Sequence, residues 1–185
     1  MVTIVGNIKP EDDYTHPLGP EDNFNESVYF NFFDRESNRG GFIRIGNRAN
    51  EGYAEMTVIV FNSDGSVFFN YKKPEISNND EWNAGGVRVE VLEPGERLRT
   101  TYDGTALYML DPRDMKDPSK AFKSNPFKKI QLDLVHHGVG PLYGHVGEPG
   151  DDNDFARAHS EQHMRVKGTL SIEGEVAINI NGHGI

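Results

Sequence analysis

Residues 53–73 have the sequence YAEMTVIVFNSDGSVFFNYKK. Side chains two apart on a strand point the same way, so Tyr53, Glu55 and Thr57 share one face and the intervening apolar residues share the other. Residues 62–65 contain an Asp-Gly pair, which supplies the positive φ that a tight hairpin turn requires. The segment therefore predicts two antiparallel strands joined by a short turn.

Segments of the same kind recur on both sides of this hairpin, each rich in β-branched and aromatic residues and closed by Gly, Asn, Asp or Pro. Sequential antiparallel strands avoid exposed edges by closing into a barrel or by stacking two sheets. We therefore predict an all-β fold, an antiparallel lipocalin-like barrel or strongly curved sandwich of about 8–10 strands, with one short helix at most, in residues 111–125. The predicted strands are residues 27–34, 41–48, 53–62, 66–73, 85–92, 97–103, 105–110, 128–136, 159–172 and 175–181.

Three regions lack the strand pattern. Residues 1–26 are polar, acidic and Pro-rich, which predicts an extended N-terminal arm with little structure of its own, followed by a single β-barrel-like lobe over residues 27–185. Residues 74–84 predict a loop that carries the only tryptophan, Trp82. Residues 138–154 predict a long loop rich in Gly, Pro and Asp, and such a loop in a compact domain is either a functional lid or disordered.

Composition narrows the classes of function. The 185 residues carry a formal net charge of −10 and include no cysteine. The charge argues against a nucleic acid or an anionic membrane surface as partner, and the lack of cysteine excludes disulfides and thiolate metal sites. No Gly-rich phosphate loop or nucleophile elbow is present, so we expect no cofactor. Without a signal peptide or a run of ~20 apolar residues, we expect a cytoplasmic protein with no membrane insertion.

One cluster of polar residues lies at the start of a predicted strand. His159, Glu161 and His163 would share one strand face, with Gln162 and Met164 on the opposite face. A carboxylate between two imidazoles indicates an acid/base or ligand-orienting set, or a metal site. The alternative is a polar outer face of the strand, with Ser160, Gln162 and Met164 turned inward.

A second candidate is the carboxyl of Glu55. If Glu55 points inward beside Tyr53, its low-dielectric surroundings would raise its pKa and make it a proton donor. The alternative is a surface Glu55 paired with Arg44 or Arg48.

The remaining candidates are histidines and isolated aromatic residues. His136 and His137, with His145 in the loop that follows, could bind a metal, but adjacent side chains on a strand diverge, and we expect no metal. Trp82 and Tyr102 are predicted to be wall or core aromatics, with ligand stacking as the alternative.

Seven segments from Ser27 onward form a recognisable set: SVYFNFFD (27–34), GFIRIGNR (41–48), EGYAEM (51–56), YDG (102–104), FARAH (155–159), EQHM (161–164) and NGHG (181–184). Together they resemble the amino-terminal lobe of a two-lobed lipocalin-like group. That group is related to the carotenoid 1,2-hydratases (hydroxyneurosporene synthase-like proteins) and the AttH-like domains. The resemblance implies a lobe that pairs with a second similar lobe, or with itself, and that holds a small, mostly apolar molecule of terpenoid or polyene type.

Three functions remain open on this basis. The first is one lobe of a cofactor-independent hydratase, isomerase or cyclase, in which a buried carboxylic acid delivers a proton. The second is a non-catalytic carrier of a lipid-like ligand, and the third is a structural lobe marked by an exposed apolar face and self-association. The predicted catalytic residues are Glu55 and Glu161, and the predicted ligand-binding residues are Arg44, Tyr53, Trp82, Tyr102, Gln162 and His163.

Overall fold

A computed structural model describes residues 2–147 and 157–185, and these residues are mostly β-strand. The strands are β1 (Ile4–Gly6), β2 (Glu26–Asp34), β3 (Arg39–Arg48), β4 (Tyr53–Phe61), β5 (Val67–Lys72), β6 (Trp82–Ala84), β7 (Val87–Glu93), β8 (Arg97–Met109), β9 (Phe127–Val146), β10 (Ala158–Ile172) and β11 (Ile178–Gly184). One α-helix, α1 (Pro118–Ser124), and 3₁₀ turns at Pro10–Asp13, Ala49–Glu51 and Pro112–Lys116 complete the described elements. None of the helices in these ranges is long and apolar enough to cross a membrane.

The described strands form a single, strongly curved sheet whose ends meet. The hydrogen-bonded order runs β9-β10-β11-β2-β3-β4-β5-β8, and β8 also pairs with β9, which closes a ring of eight strands. β7 and β6 extend the sheet from β8, and β1 pairs with β9 in parallel. The all-β prediction of a curved antiparallel sheet with one short helix is therefore confirmed.

The ring has two narrow joints, so it is not a regular barrel. β5 pairs with β8 only from Val67 to Phe69, because the first half of that edge of β8 pairs with β7 instead. β11 and β2 share the single register pair His183 and Phe33. By contrast, β2, β3 and β4 pair along nearly their whole lengths, which makes this part of the sheet the most regular.

The interior of the ring is packed with side chains. Along β4, Met56 and Val58 are fully buried, while their neighbours on the strand point outward. Tyr102 of β8 reaches into the interior, where its hydroxyl donates to the Thr105 carbonyl at 3.0 Å and accepts from the Asn70 amide at 2.6 Å. A buried tyrosine commonly finds such partners for its hydroxyl, and here they fix the ring at the centre of the core.

Two strands are longer than their sequence predicts. The Asp103-Gly104 pair does not make a hairpin turn, because β8 runs through it and the Tyr102 ring lies over the space that a side chain at Gly104 would fill. The predicted loop from Gly138 is also wrong as far as Val146, where β9 still pairs with β10. The register shifts between Gln162, which lies opposite Leu142, and Met164, which lies opposite Gly138. The rest of the predicted loop, residues 148–154, lies outside the described residues.

The N-terminal arm crosses one end of the ring. Ile8 is buried and lies against Gly144 of β9. The carboxylate of Asp13 accepts a 2.6 Å hydrogen bond from the backbone N–H of Gly95, and its carbonyl accepts the indole N–H of Trp82 at 3.2 Å. Trp82 itself begins the short strand β6, inside a segment predicted to be a loop. The arm therefore closes the end at which β8 and β10 begin.

Candidate functional site

The outer surface of β2–β5 carries an unusual block of large apolar side chains, which we call the aromatic face. Register places Phe42 beside Ile59 and Ile59 beside Phe69, so these side chains form one row across three strands. Phe33 and Phe61 lie one row further and are each about half exposed. The aromatic face consists of Phe33, Phe42, Ile59, Phe61 and Phe69.

Two rings from outside the four strands extend this face. Phe122 of α1 lies edge-on to Phe69, with ring centroids 6.2 Å apart, and Phe127 of β9 lies 6.2 Å from Phe122. Outward side chains of a sheet that faces water are usually polar. Phe42, Ile59 and Phe69 are partly buried, and Ile59 and Phe69 pack against a buried cluster that includes Ala121 of α1. Phe33, Phe61, Phe122 and Phe127 are exposed, and exposed aromatic side chains of this kind mark an interaction surface.

A row of polar residues borders the aromatic face, and we call it the polar belt. Arg44 of β3 donates to the Glu55 carboxylate of β4 at 3.3 Å, and the ammonium of Lys73 lies 3.7 Å from the same carboxylate. Tyr29 of β2 stands opposite Arg44 in the register and stacks on Phe42 at 5.7 Å, which joins the belt to the aromatic face. The polar belt consists of Tyr29, Arg44, Glu55, Lys73 and Glu161.

Glu161 joins the belt from β10. β11 ends at Gly184, opposite Met164, so the hydroxyl of Tyr29 can reach past that end and donate to the Glu161 carboxylate at 3.2 Å. The imidazole of His159 lies at the same distance from this carboxylate. Partial burial, together with the Glu161 charge, raises the pKa of the Tyr29 hydroxyl, so Tyr29 remains a proton donor at neutral pH.

The structure brings some of the predicted site residues together on this outer face. Glu55 takes the surface arrangement paired with Arg44, and Tyr53 points out on the same side of β4, with its ring 4.6 Å from the Lys73 ammonium. Glu161 is about half exposed, so neither predicted acid lies in the interior of the ring. His163 also points outward, and its ring stacks on His183 at 6.0 Å. The catalytic role of the two carboxyls remains a prediction.

The other predicted ligand-binding residues lie elsewhere. Trp82 and Tyr102 are buried in the core cluster, as expected for wall aromatics. Gln162 is buried on the inner side of β10, opposite in direction to Glu161 and His163, and Met164 is buried with it. These two inward positions match the alternative in which His159, Glu161 and His163 form the outer face of the strand. Ser160, which that alternative also turns inward, is exposed near the start of β10.

No group of three potential metal-ligating side chains comes together in residues 2–147 and 157–185. His136 and His137 diverge, as adjacent strand residues must, because His136 is fully buried and His137 lies on the outer side of β9. His145 is exposed near the end of β9.

Open grooves among the described residues include one on the outer side of the sheet and one along α1. The larger one, of about 340 Å³, lies on the outer side of β8–β10. Its polar lining includes Gln131, which donates to Asp103 at 2.9 Å, and Asp133, which accepts two hydrogen bonds from Arg99 at 2.8 and 2.7 Å. The carboxylates and the amide of this groove are therefore already engaged in hydrogen bonds.

A family model for a domain of unknown function, DUF7064, matches residues 9–185. The chain belongs to this family. No curated protein and no solved structure matches it. The DUF7064 description gives no activity, so the likeness to carotenoid 1,2-hydratases and AttH-like proteins stays a prediction. The DUF7064 model spans the strands of the ring, including those that carry the aromatic face and the polar belt.

Sequence reasoning missed two features of this site. It identified Glu55 and Arg44 but not the aromatic face beside them, although Phe42, Ile59 and Phe61 have the outward parity of Arg44 and Glu55. It also missed the pairing of His136 with Thr100 in the interior, where the Thr100 hydroxyl lies 2.9 Å from the Nε2 atom of His136. Their inward positions on predicted strands were the available signal.

Proposed function

We propose that this domain is a pairing lobe that binds a second copy of itself through the aromatic face. The observation that carries the proposal is the contiguous block of large apolar side chains on the outer surface of β2–β5, beside an interior that is already packed. The outer surface of the closed ring of strands is convex, so the aromatic face cannot enclose a small molecule alone. A second surface is needed to remove its exposed side chains, Phe33 and Phe61, from water.

The charges of the polar belt favour a second copy of this chain as the partner. It holds both signs of charge, with Arg44 and Lys73 beside Glu55, and Glu161 at its other end. A two-fold pairing places the same patch on both partners, so a patch with both charges can complement itself. The net charge of −10 on each copy opposes approach at long range, so we expect association to strengthen as salt rises.

Sedimentation velocity over a range of protein concentrations tests the proposal. The wild-type chain should self-associate, and the double variant Phe33→Ser/Phe61→Ser should raise the dissociation constant by about a hundredfold. Leu92→Ser is the matched control, because Leu92 of β7 is as exposed as these rings but lies away from the aromatic face. A wild-type chain that stays monomeric at every concentration, or an equal effect of Leu92→Ser, would refute the pairing.

A second candidate function is binding of a small, mostly apolar molecule between the paired lobes. It is favoured by the position of the polar belt, because a carboxylate, an arginine and a tyrosine hydroxyl border the aromatic rings. Sites for small molecules commonly combine an apolar lining with a few convergent polar groups. In a hydratase, Glu55 or Glu161 would protonate one alkene carbon, and water would add to the other carbon and return a proton to the carboxylate. In an isomerase, the cation would instead lose a proton from a neighbouring carbon to the carboxylate.

The two carboxyls give this second candidate its test. Glu55→Gln and Glu161→Gln keep the size of each side chain and remove its acidity. In the paired protein, loss of alkene turnover in either variant, with unchanged binding of an apolar fluorescent probe, supports catalysis. Unchanged turnover in both variants refutes the catalytic role, and absence of probe binding in the wild type refutes the ligand site.

A further inference from the structure

The groove on the outer side of β8–β10 has the size of a small-molecule site. Its volume is about 340 Å³, and sites for small molecules usually enclose about 300–1,000 Å³. None of its lining residues belongs to the aromatic face or to the polar belt. What this groove binds is therefore a question separate from the pairing of two lobes.

Two rows of polar side chains form the floor of the groove. The first row consists of register partners on the three strands, Thr101, Asp133 and Thr169. The second row consists of the register partners two residues away, Asp103, Gln131 and Ser171. Neighbouring strands lie about 4.8 Å apart and alternate residues about 6.8 Å apart, so the rows cover an area of roughly 10 by 7 Å. An area of this extent accommodates one six-membered ring with its substituents.

Three hydroxyl groups in these rows have no hydrogen-bond partner among residues 2–147 and 157–185. They belong to Thr101, Thr169 and Ser171, and all three residues are at least partly exposed. A hydroxyl group both donates and accepts a hydrogen bond. These side chains therefore suit a ligand whose own groups also donate and accept.

The charged side chains of the groove are compensated by their neighbours. Both carboxylate oxygens of Asp133 accept hydrogen bonds from Arg99. Asp103 accepts from Gln131, and its other oxygen lies 3.4 Å from the ammonium of Lys129. The hydrogen bonds from Arg99 and Gln131 lower the pKa of the two carboxyls, so both remain ionised acceptors with unused lone pairs. A ligand with a net charge finds no uncompensated opposite charge here, which favours a neutral one.

The apolar residues of the lining do not offer a binding surface. Tyr102 and Leu132 border the groove, but both side chains are buried on the inner side of the sheet. An apolar molecule gains free energy by covering exposed apolar area, and no large apolar side chain of the lining is exposed. The lining therefore favours a polar ligand.

We propose that this groove binds a neutral polyhydroxyl compound of about one ring, a monosaccharide or a cyclic polyol. The hydroxyl groups of Thr101, Thr169 and Ser171 exchange hydrogen bonds with those of the ligand. The carboxylates of Asp103 and Asp133 accept from further ligand hydroxyls. Because both carboxylates are already held by hydrogen bonds, little side-chain freedom is lost on binding.

Methyl NMR of the threonines in the full chain tests this proposal. The probes are D-glucose, D-galactose and myo-inositol, and cyclohexanol is the control, because it has a six-membered ring with a single hydroxyl. The signals of Thr101 and Thr169 are assigned by their loss in Thr101→Val and Thr169→Val. We expect at least one probe to shift both signals saturably and cyclohexanol to leave them unchanged. Absence of a saturable shift with all three probes, or equal shifts with cyclohexanol, overturns the proposal.

Removal of hydroxyl groups separates this groove from other surfaces. Thr169→Val/Ser171→Ala takes away two of the unpaired hydroxyls and should weaken binding, followed at Thr101, by about tenfold or more. Thr57→Val/Ser160→Ala is the matched control, since it removes the same two groups from outward positions on β4 and β10 that lie outside the groove. Equal loss of affinity in the two double variants would show that the ligand binds elsewhere.

Discussion

The inner and outer faces of β2–β5 are built from similar side chains but have different surroundings. Phe68 points inward and is fully buried, whereas Phe61, on the neighbouring strand, points outward and is half exposed. Apolar content alone therefore does not distinguish the core of this domain from its surface. The buried inward side chains form the packed core of the domain. Because the outward side chains remain exposed, we assign the binding function to the outer face.

The largest expected effect comes from truncating one phenylalanine side chain on each face of the sheet. Phe68→Ala should lower the free energy of unfolding by about 3–5 kcal/mol, because it leaves a cavity in a packed interior. Phe61→Ala should change it by only about 0.5 kcal/mol. The two free energies of unfolding are measured by denaturant unfolding at concentrations where the chain is monomeric. Equal losses would mean that the aromatic face is part of the core.

A smaller effect is expected from removing single hydroxyl groups. Tyr102→Phe should lower the free energy of unfolding by about 1–3 kcal/mol, because the amide of Asn70 then loses its buried partner. Tyr71→Phe serves as the outer control, since its hydroxyl makes only a 3.4 Å contact with Glu55 at the surface. If the two variants lose the same stability, the buried hydrogen bond of Tyr102 is not what fixes that ring.

The smallest effect concerns docking of the N-terminal arm. Hydrogen bonding to Glu26, with Asp12 nearby, raises the pKa of His16, and burial raises the pKa of the Asp13 carboxyl. The docked arm therefore favours the protonated form of both groups. The stabilisation from His16 is fully present below its ordinary pKa and is lost as pH rises through the raised value, and ionisation of Asp13 weakens docking in the same direction.

Fluorescence of Trp82 follows this docking, since its indole donates to the Asp13 carbonyl. As pH rises through the range in which histidine titrates, we expect the fluorescence of Trp82 to approach that of a chain whose N-terminal arm is undocked. His16→Ala should remove this part of the pH dependence, and His159→Ala, at an exposed site on β10, should keep it. A transition that persists in His16→Ala would contradict the assignment.

Period-two patterning predicted most of the strands because their turns carry local signals. The hairpin between β4 and β5 depends on residues 62–65, and the alternation of Val87 and Val89 marks β7 in the same way. The extension of β9 to Val146 has no such signal, because Gly138, Gly140 and Pro141 are typical of a loop. Only pairing with β10, distant in sequence, makes that segment a strand.

The candidate site was predicted in part, for a similar reason. Both faces of β4 are apolar toward its end, with Val58 and Val60 on one and Ile59 and Phe61 on the other. The sequence therefore allows either direction for Glu55, and only closure of the ring decides that it points outward. The contact of Glu161 with Tyr29 depends on where β11 ends relative to β10, which local patterns do not specify.

Carbene footprinting of the wild-type chain at low and high protein concentration tests the central claim most directly. As association proceeds, we expect labelling to fall on the exposed rings Phe33 and Phe61 and on Tyr29 of the polar belt, and to stay constant at Leu92. Unchanged labelling of the rings on association, or protection centred on another surface, would contradict the assignment of the outer face as the binding surface.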